Sequence, residues 1–503
     1  FLSDGAAGDI ALNATQQITA VDSFLQTDAV GGTGRGGDIL LRAPTIGIDG
    51  GLLSATTSGA GQAGNVLLEG HEISLRASPF AAAQGFGLGV DLIALTAGSG
   101  HGGTVTLRGL DGPSSHADNV TISGSSSLRT LTASDGSAGD ITINAARFVL
   151  TDDAKLNADT FGSGGAGTIT ITATDHATIS GLSTAMSSSS DFGATGNAGQ
   201  ITVSAPTVTI TNSGHIFTTT TGEGTGGNIT ITAGQSATLT NGAGISASST
   251  GPGNTGNIEI NAGNQFTMTD SSMTAEADQS SGGAIKITTN PGGTMQFANS
   301  TISTSVLDGT GGGGSLNFDP LFMIMLGSQF LANAVQGPGG NISITTNFLL
   351  MDANSVISAS SQFGVNGTVT IQSPNAPVSG QIQPLNKAPL PATSLLNQRC
   401  AALAGGQFSS FTVAGRDSLP TEPGSWLTSP LYAAGTGTEE GLSGLSRLSG
   451  VSGVVRAGLV THRTNQIDKT DQTDQFLLSL RQIAPAGFLT QAFAVNSSEG
   501  CTS

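Results

Sequence analysis

Residues 226–256 read GGNITITAGQSATLTNGAGISASSTGPGNTG, and this stretch decides the fold. Ile229 and Ile231 alternate with Asn228, Thr230 and Thr232, the period-two pattern of a strand with one apolar face. Ala237–Thr240 is expected to form a second strand. Asn241 and Gly242 supply turn chemistry, and Ile245 and Ala247 alternate with serines as a third strand. Gly251–Gly256 loops back to the start, so the stretch closes one coil of three strands.

The opening Gly-x-apolar-x-apolar recurs at Gly8, Gly37, Gly64, Gly103, Gly139, Gly167, Gly199, Gly227, Gly256, Gly283, Gly314, Gly340 and Gly367. The first and last of these lie 359 residues apart over twelve intervals. The period is therefore roughly 30, within the range of solenoid repeats. The apolar pairs that follow each glycine, from Ile10/Leu12 through Ile229/Ile231 to Val369/Ile371, become continuous inner ladders when the coils stack. The expectation is an all-β chain, a right-handed parallel β-helix of about 13 rungs. A propeller or a leucine-rich horseshoe is disfavoured, because no repeat holds four strands or a useful helical segment.

Composition agrees. The 503 residues include 75 Gly, 16 Lys plus Arg and 34 Asp plus Glu, a formal net charge of -18. Low-complexity disorder lacks the strictly placed Ile and Val seen here. A nucleic-acid surface needs clustered basic residues, so no nucleic-acid partner is expected. No apolar run reaches the roughly 18 residues of a membrane span. Residues 1–14 already resemble the tail of one coil and the start of the next, which suggests a chain beginning inside a longer solenoid.

Two intervals are stretched, Gly64 to Gly103 and Gly103 to Gly139. Extra residues in a solenoid leave it as loops, and Ser78–Asp91 carries Phe80, Phe86 and Leu88 on such an excursion. It is the candidate partner-binding loop; the other reading is a loop folded back over the coil. Leu321–Val335 is unusually apolar and reads as a rung buried on both sides or beneath a loop, with an exposed contact for lateral self-association as the other reading.

Chemistry is sparse. Asp152 and Asp153 are adjacent and read as turn residues, the six His show no paired ligand spacing, and no cofactor, metal or catalytic residue is assigned. Thr106, Thr142, Thr170, Thr202 and Thr230 form one outward column of the kind ice-binding β-helices present. Its neighbour (Arg108, Asn144, Thr172, Ser204, Thr232) is broken, so ice binding ranks last. A β-helical polysaccharide-active enzyme ranks above it and would need carboxylates or bases converging on one face of adjacent rungs.

The repeat region ends near residue 373. Residues 374–392 are a Pro-rich linker, and residues 393–503 form a non-repeating cap or tail with short helices expected at Ser394–Ala404 and Asp474–Ile483. Cys400 and Cys501 bracket this region, compatible with a disulfide in an oxidising compartment or two free thiols in a reducing one.

The GGNIxIxA rungs resemble the filamentous haemagglutinin-like exoproteins of bacterial two-partner secretion. The stretch RCAALAGGQFSSFTVAGRDSLPTEPGSWL, Arg399–Leu427, is similar to a C-terminal signature of such proteins, carried here by Cys400, Phe411, Gly415, Arg416, Leu419, Pro420 and Pro423. The family's N-terminal secretion domain is not found in the sequence. The resemblance implies a secreted or cell-surface structural adhesin rather than an enzyme. Its expected partners are an outer-membrane transporter barrel and a ligand on a host cell, neighbouring cell or matrix.

Overall fold

The computed structural model describes residues 4–80, 88–191 and 193–373. They form a parallel β-solenoid. Thirteen strands, beginning at Ile10–Asn13 and ending at Thr368–Gln372, stack on its first face. Twelve parallel pairings join them. At about 4.8 Å per step this face is roughly 58 Å long. Ile201, Ile229, Ile258 and Ile285 are consecutive partners, as the repeat requires.

Only glycine fits the repeat's first position. A Cβ placed on each anchor from Gly37 to Gly367 would lie 1.6–2.1 Å from the carbonyl oxygen of the anchor one coil earlier. The backbone is not left-handed at these glycines; the constraint is the close approach of one coil to the next. The anchor N–H also closes its coil: Gly37, Gly103, Gly256 and Gly340 donate to the carbonyls of Thr27, Ala94, Ala247 and Ala332 at 2.9, 3.0, 3.1 and 2.7 Å.

Strand boundaries differ from one coil to another. In the middle of the rod, the first and second strands run together as Ile141–Thr151, Ile169–Ser180, Ile201–Thr211 and Ile229–Thr240, bent at a register shift such as that between Ala205 and Thr207. The second-to-third-strand corner needs a left-handed residue. Asp152, Asp153, Asn212, Asn241, Asp270 and Asn299 hold φ of 54°, 67°, 52°, 55°, 49° and 48° there, and Asp and Asn tolerate this because their side chains bond locally. Asp152 and Asp153 are thus turn residues, as expected.

Inside, aliphatic ladders give way to aromatic ones. Phe266, Phe297, Phe318 and Phe330 are all buried; Phe297 and Phe330 meet edge-on at 4.9 Å, and Phe318 stacks on Phe330 at 4.5 Å. The residue after the third strand is Ala in several coils and Thr in others. Thr27, Thr130 and Thr218 donate their hydroxyls to the carbonyls of Gly37, Gly139 and Gly227 at 2.6, 2.6 and 2.7 Å. Thr304 occupies the same place, but its buried hydroxyl has no partner.

Beyond the third strand each coil throws out a short loop, and these loops stack into a ridge. Single bridges link Thr132, Thr160, Ser190, Thr220 and Ser249 along it. The buried hydroxyls of Thr132, Thr160, Ser190 and Ser249 hold the carbonyls of Gly136, Gly164, Gly196 and Gly253 at 2.7, 2.6, 2.6 and 2.7 Å. Farther along, Ala277, Val306 and Ala334 replace them with a small apolar core.

The apolar segment Leu321–Val335 is not buried on both sides. Register with Thr294–Ala298 turns Met323 and Met325 inward and leaves Phe322 38% exposed, stacked on the 39% exposed Phe348 at 4.7 Å. Five successive apolar residues hide strand parity; only the pairing assigns it.

Two substitutions test this packing. Gly227→Ala is expected to cost on the order of 2–4 kcal/mol, since backbone must move on both coils. Gly234→Ala in the same coil meets only the Pro206 Cα at 3.6 Å and should be near neutral in urea denaturation. Thr304→Val removes an unsatisfied hydroxyl and should stabilise by about 1 kcal/mol, whereas Thr218→Val should destabilise by a similar amount.

Candidate binding surfaces

The two long intervals do different things. The first leaves the coil after the strand Glu72–Arg76 and returns at Val90–Ile93, which pairs with Gly51–Ser54 as a third strand. Its neck is pinned: the Ser78 N–H donates to the Leu88 carbonyl at 2.8 Å and the Ser78 hydroxyl to Asp22 at 2.9 Å. Phe80 and Leu88 stand 71% and 65% exposed on either side of it. Phe86 lies outside the described residues.

The second insertion folds back. Residues 109–116 cover the first face, where the Leu110 carbonyl accepts from Arg42 at 2.8 Å. Beneath sits Glu69, nearly buried, taking Arg108 at 2.8 Å through one oxygen and Arg42 through the other. This Arg–Glu–Arg group joins three adjacent coils through strand register. Sequence reading missed it, because the three residues are 27 and 39 positions apart. Their signal was a shared offset from the anchor glycine.

A crease runs between the third strands and the ridge. In an extended strand, side chains two residues apart are separated by about 6.7 Å. Here the Oγ atoms of Ser187 and Ser189, Ser246 and Ser248, and Ser303 and Ser305 are 3.2, 3.0 and 3.1 Å apart, so the backbone bends concavely. Carboxylates enter this hydroxyl network. Asp159 accepts Ser187 Oγ at 2.5 Å, Ser189 N at 2.7 Å and Asn157 Nδ2 at 3.1 Å, and Glu276 accepts Ser303. Burial pushes the Asp159 carboxyl up despite these donors. Burial, then the charge of Asp159, pushes Asp191 up to about 6.

Among the described residues, no three His, Cys, Asp or Glu side chains gather in a way that could hold a metal ion. His71 lies 3.8 Å from Asp118, His176 lies 3.3 Å from Asp175, and His101 accepts the Ser137 N–H at 3.2 Å, each a separate local contact. The C-terminal motif (Cys400, Phe411, Gly415, Arg416, Leu419, Pro420, Pro423), Cys501, the linker and the two tail helices all lie outside the described residues. No helix among the described residues is long and apolar enough to cross a membrane.

No family model matches the chain, and neither the curated proteins nor the solved structures include a detectable relative.

The raised carboxyls have a testable sign. The native Asp191 binds its proton up to about pH 6, whereas the ordinary value is 3.8. The stabilisation it contributes is fully present below pH 3.8 and is lost as pH rises from there through about 6. Asp191→Asn is therefore expected to be more stable than the parent at pH 7.5 and to lose most of that advantage by pH 4.5, read as urea midpoints at the two pH values.

Proposed function

We propose that this chain is the rod of a structural adhesin, a rigid spacer that carries a binding loop on its flank. The observation that carries this reading is the excursion from Ser78. A pinned neck on an otherwise regular ladder presents Phe80 and Leu88 to solvent, where burial of each could contribute about 1.5–3 kcal/mol on contact with a partner. Resemblance to the filamentous haemagglutinin-like exoproteins adds a setting: export through an outer-membrane transporter barrel, display outside a bacterial cell, and attachment to cells, surfaces or matrix. Progressive folding of such a rod needs no remote contacts, because each coil pairs only with its neighbours.

A second reading, a polysaccharide-active enzyme, draws on the crease. Asp191 with a raised pKa beside Asp159 has the character of a proton donor near a second carboxylate. One experiment separates the two. The purified chain is applied to immobilised glycans and matrix proteins, and the same glycans are assayed for released reducing ends. Retention without release, weakened about tenfold in a Phe80→Ser/Leu88→Ser variant, is the outcome expected of an adhesin. Release abolished by Asp191→Asn would establish the enzyme instead.

A further inference from the structure

The second face of the solenoid carries an array of threonines in register from coil to coil. Thr178, Thr209, Thr238 and Thr267 are consecutive partners in one outward column. Two residues along, Ser180 pairs with Thr211 and Thr240 with Thr269, and the Thr211 and Thr240 hydroxyls lie 2.9 Å apart, which joins the pairs into a second column. All eight side chains are half-buried. Neither column contains a charged residue, in a chain with 34 acidic and 16 basic ones.

We propose that this face binds ice. Its columns repeat at about 4.8 Å along the rod, and the two columns stand about 6.7 Å apart along the strands. Threonine is stiff at χ1, and parallel register repeats its Cβ position at each coil; in the second column the Thr211 and Thr240 hydroxyls turn toward each other, so the first column is the more regular of the two. Stacking also keeps such a sheet flat where an isolated one would twist. The result is a rigid, uncharged array two columns wide and four coils long, made of seven threonines and Ser180.

Flexible chains and globular partners do not repeat in two dimensions; a crystal face does. Ice is an uncharged crystal whose surface consists only of hydrogen-bonding oxygens, repeating on the same few-ångström scale. Methyl groups restrict the first-shell water over the face, and the hydroxyls tie that layer to the protein. The broken first-face columns do not take part: Thr230 is followed by Glu259 and Lys286, an ion pair at 2.8 Å.

The test is partition of the full chain into slowly growing ice, with circular dichroism as the check on folding. The parent is expected to enter the ice, and Thr238→Tyr, which raises a ring from the centre of the array, to lower its incorporation about tenfold. Thr230→Tyr, on the first face of the same coil, should leave incorporation unchanged. Exclusion of the parent from ice overturns the proposal, as does an equal loss in both folded variants. Retention on crystalline cellulose without entry into ice would also overturn it, assigning the array to a polysaccharide surface.

Discussion

The contact of one anchor glycine with the next is the constraint on which the rest of the rod depends. From Gly37 to Gly367 each anchor Cα faces the carbonyl of the anchor one coil earlier, with no room for a side chain. Because the same backbone atom meets the same neighbour at every step, a slip that brings the residue after the anchor into that gap drives a side chain against backbone, and a slip of one residue in either direction turns the apolar ladder outward. Register is thereby locked, and with it the inward direction of every Ile, Val and Leu that follows. A second glycine column in the ridge, Gly61, Gly100, Gly136, Gly164 and Gly196 among its members, repeats the device. Two such columns also resist rotation of one coil over another.

With register held, the interior is free to vary. The first half of the rod is filled mainly by aliphatic side chains, with Phe148 and Met186 among them, and the second half uses Phe and Met more often, as at Phe266, Met268, Met273, Met295, Phe297 and Phe318. Long, adaptable side chains suit positions where neighbouring coils differ. Buried hydroxyls at the coil corners follow the opposite logic. Each has to find one carbonyl in a fixed direction, which most do through the anchor or ridge glycine. In this way the glycine columns both set the spacing of the coils and supply the acceptors that make buried Thr and Ser affordable.

The outer surface is not uniform, although the core beneath it is continuous. The first face carries an ion-paired patch around Glu69, the second carries two Thr columns that pass into Gln296 and Ala298 and, in a neighbouring column, the stacked Phe322 and Phe348, and the third carries a concave line of hydroxyls and carboxylates. One insertion leaves the coil through a neck pinned at Ser78, while another lies down over the first face. These differences arise because the ladder constrains only inward and glycine positions, leaving outward ones open to whatever contact the rod has to make.

How much of this was legible beforehand follows from what each feature depends on. The anchor spacing and the alternation after it were enough to specify a parallel solenoid, its thirteen stacked strands and its inner ladders, because strand parity and coil register are local consequences of glycine placement. The turn roles of Asp152 and Asp153 were readable for the same reason. The exposure of Phe80 and Leu88 was only one of two readings until the neck through Ser78 was seen. The direction of Phe322, the pairing of Glu69 with two arginines, the convergence of Ser187 and Ser189, and the alignment of Thr209 with Thr238 and Thr267 were decided by tertiary structure. Each depends on which residue of the next coil sits alongside, and insertions of unequal length between coils break the simple counting that would have aligned them.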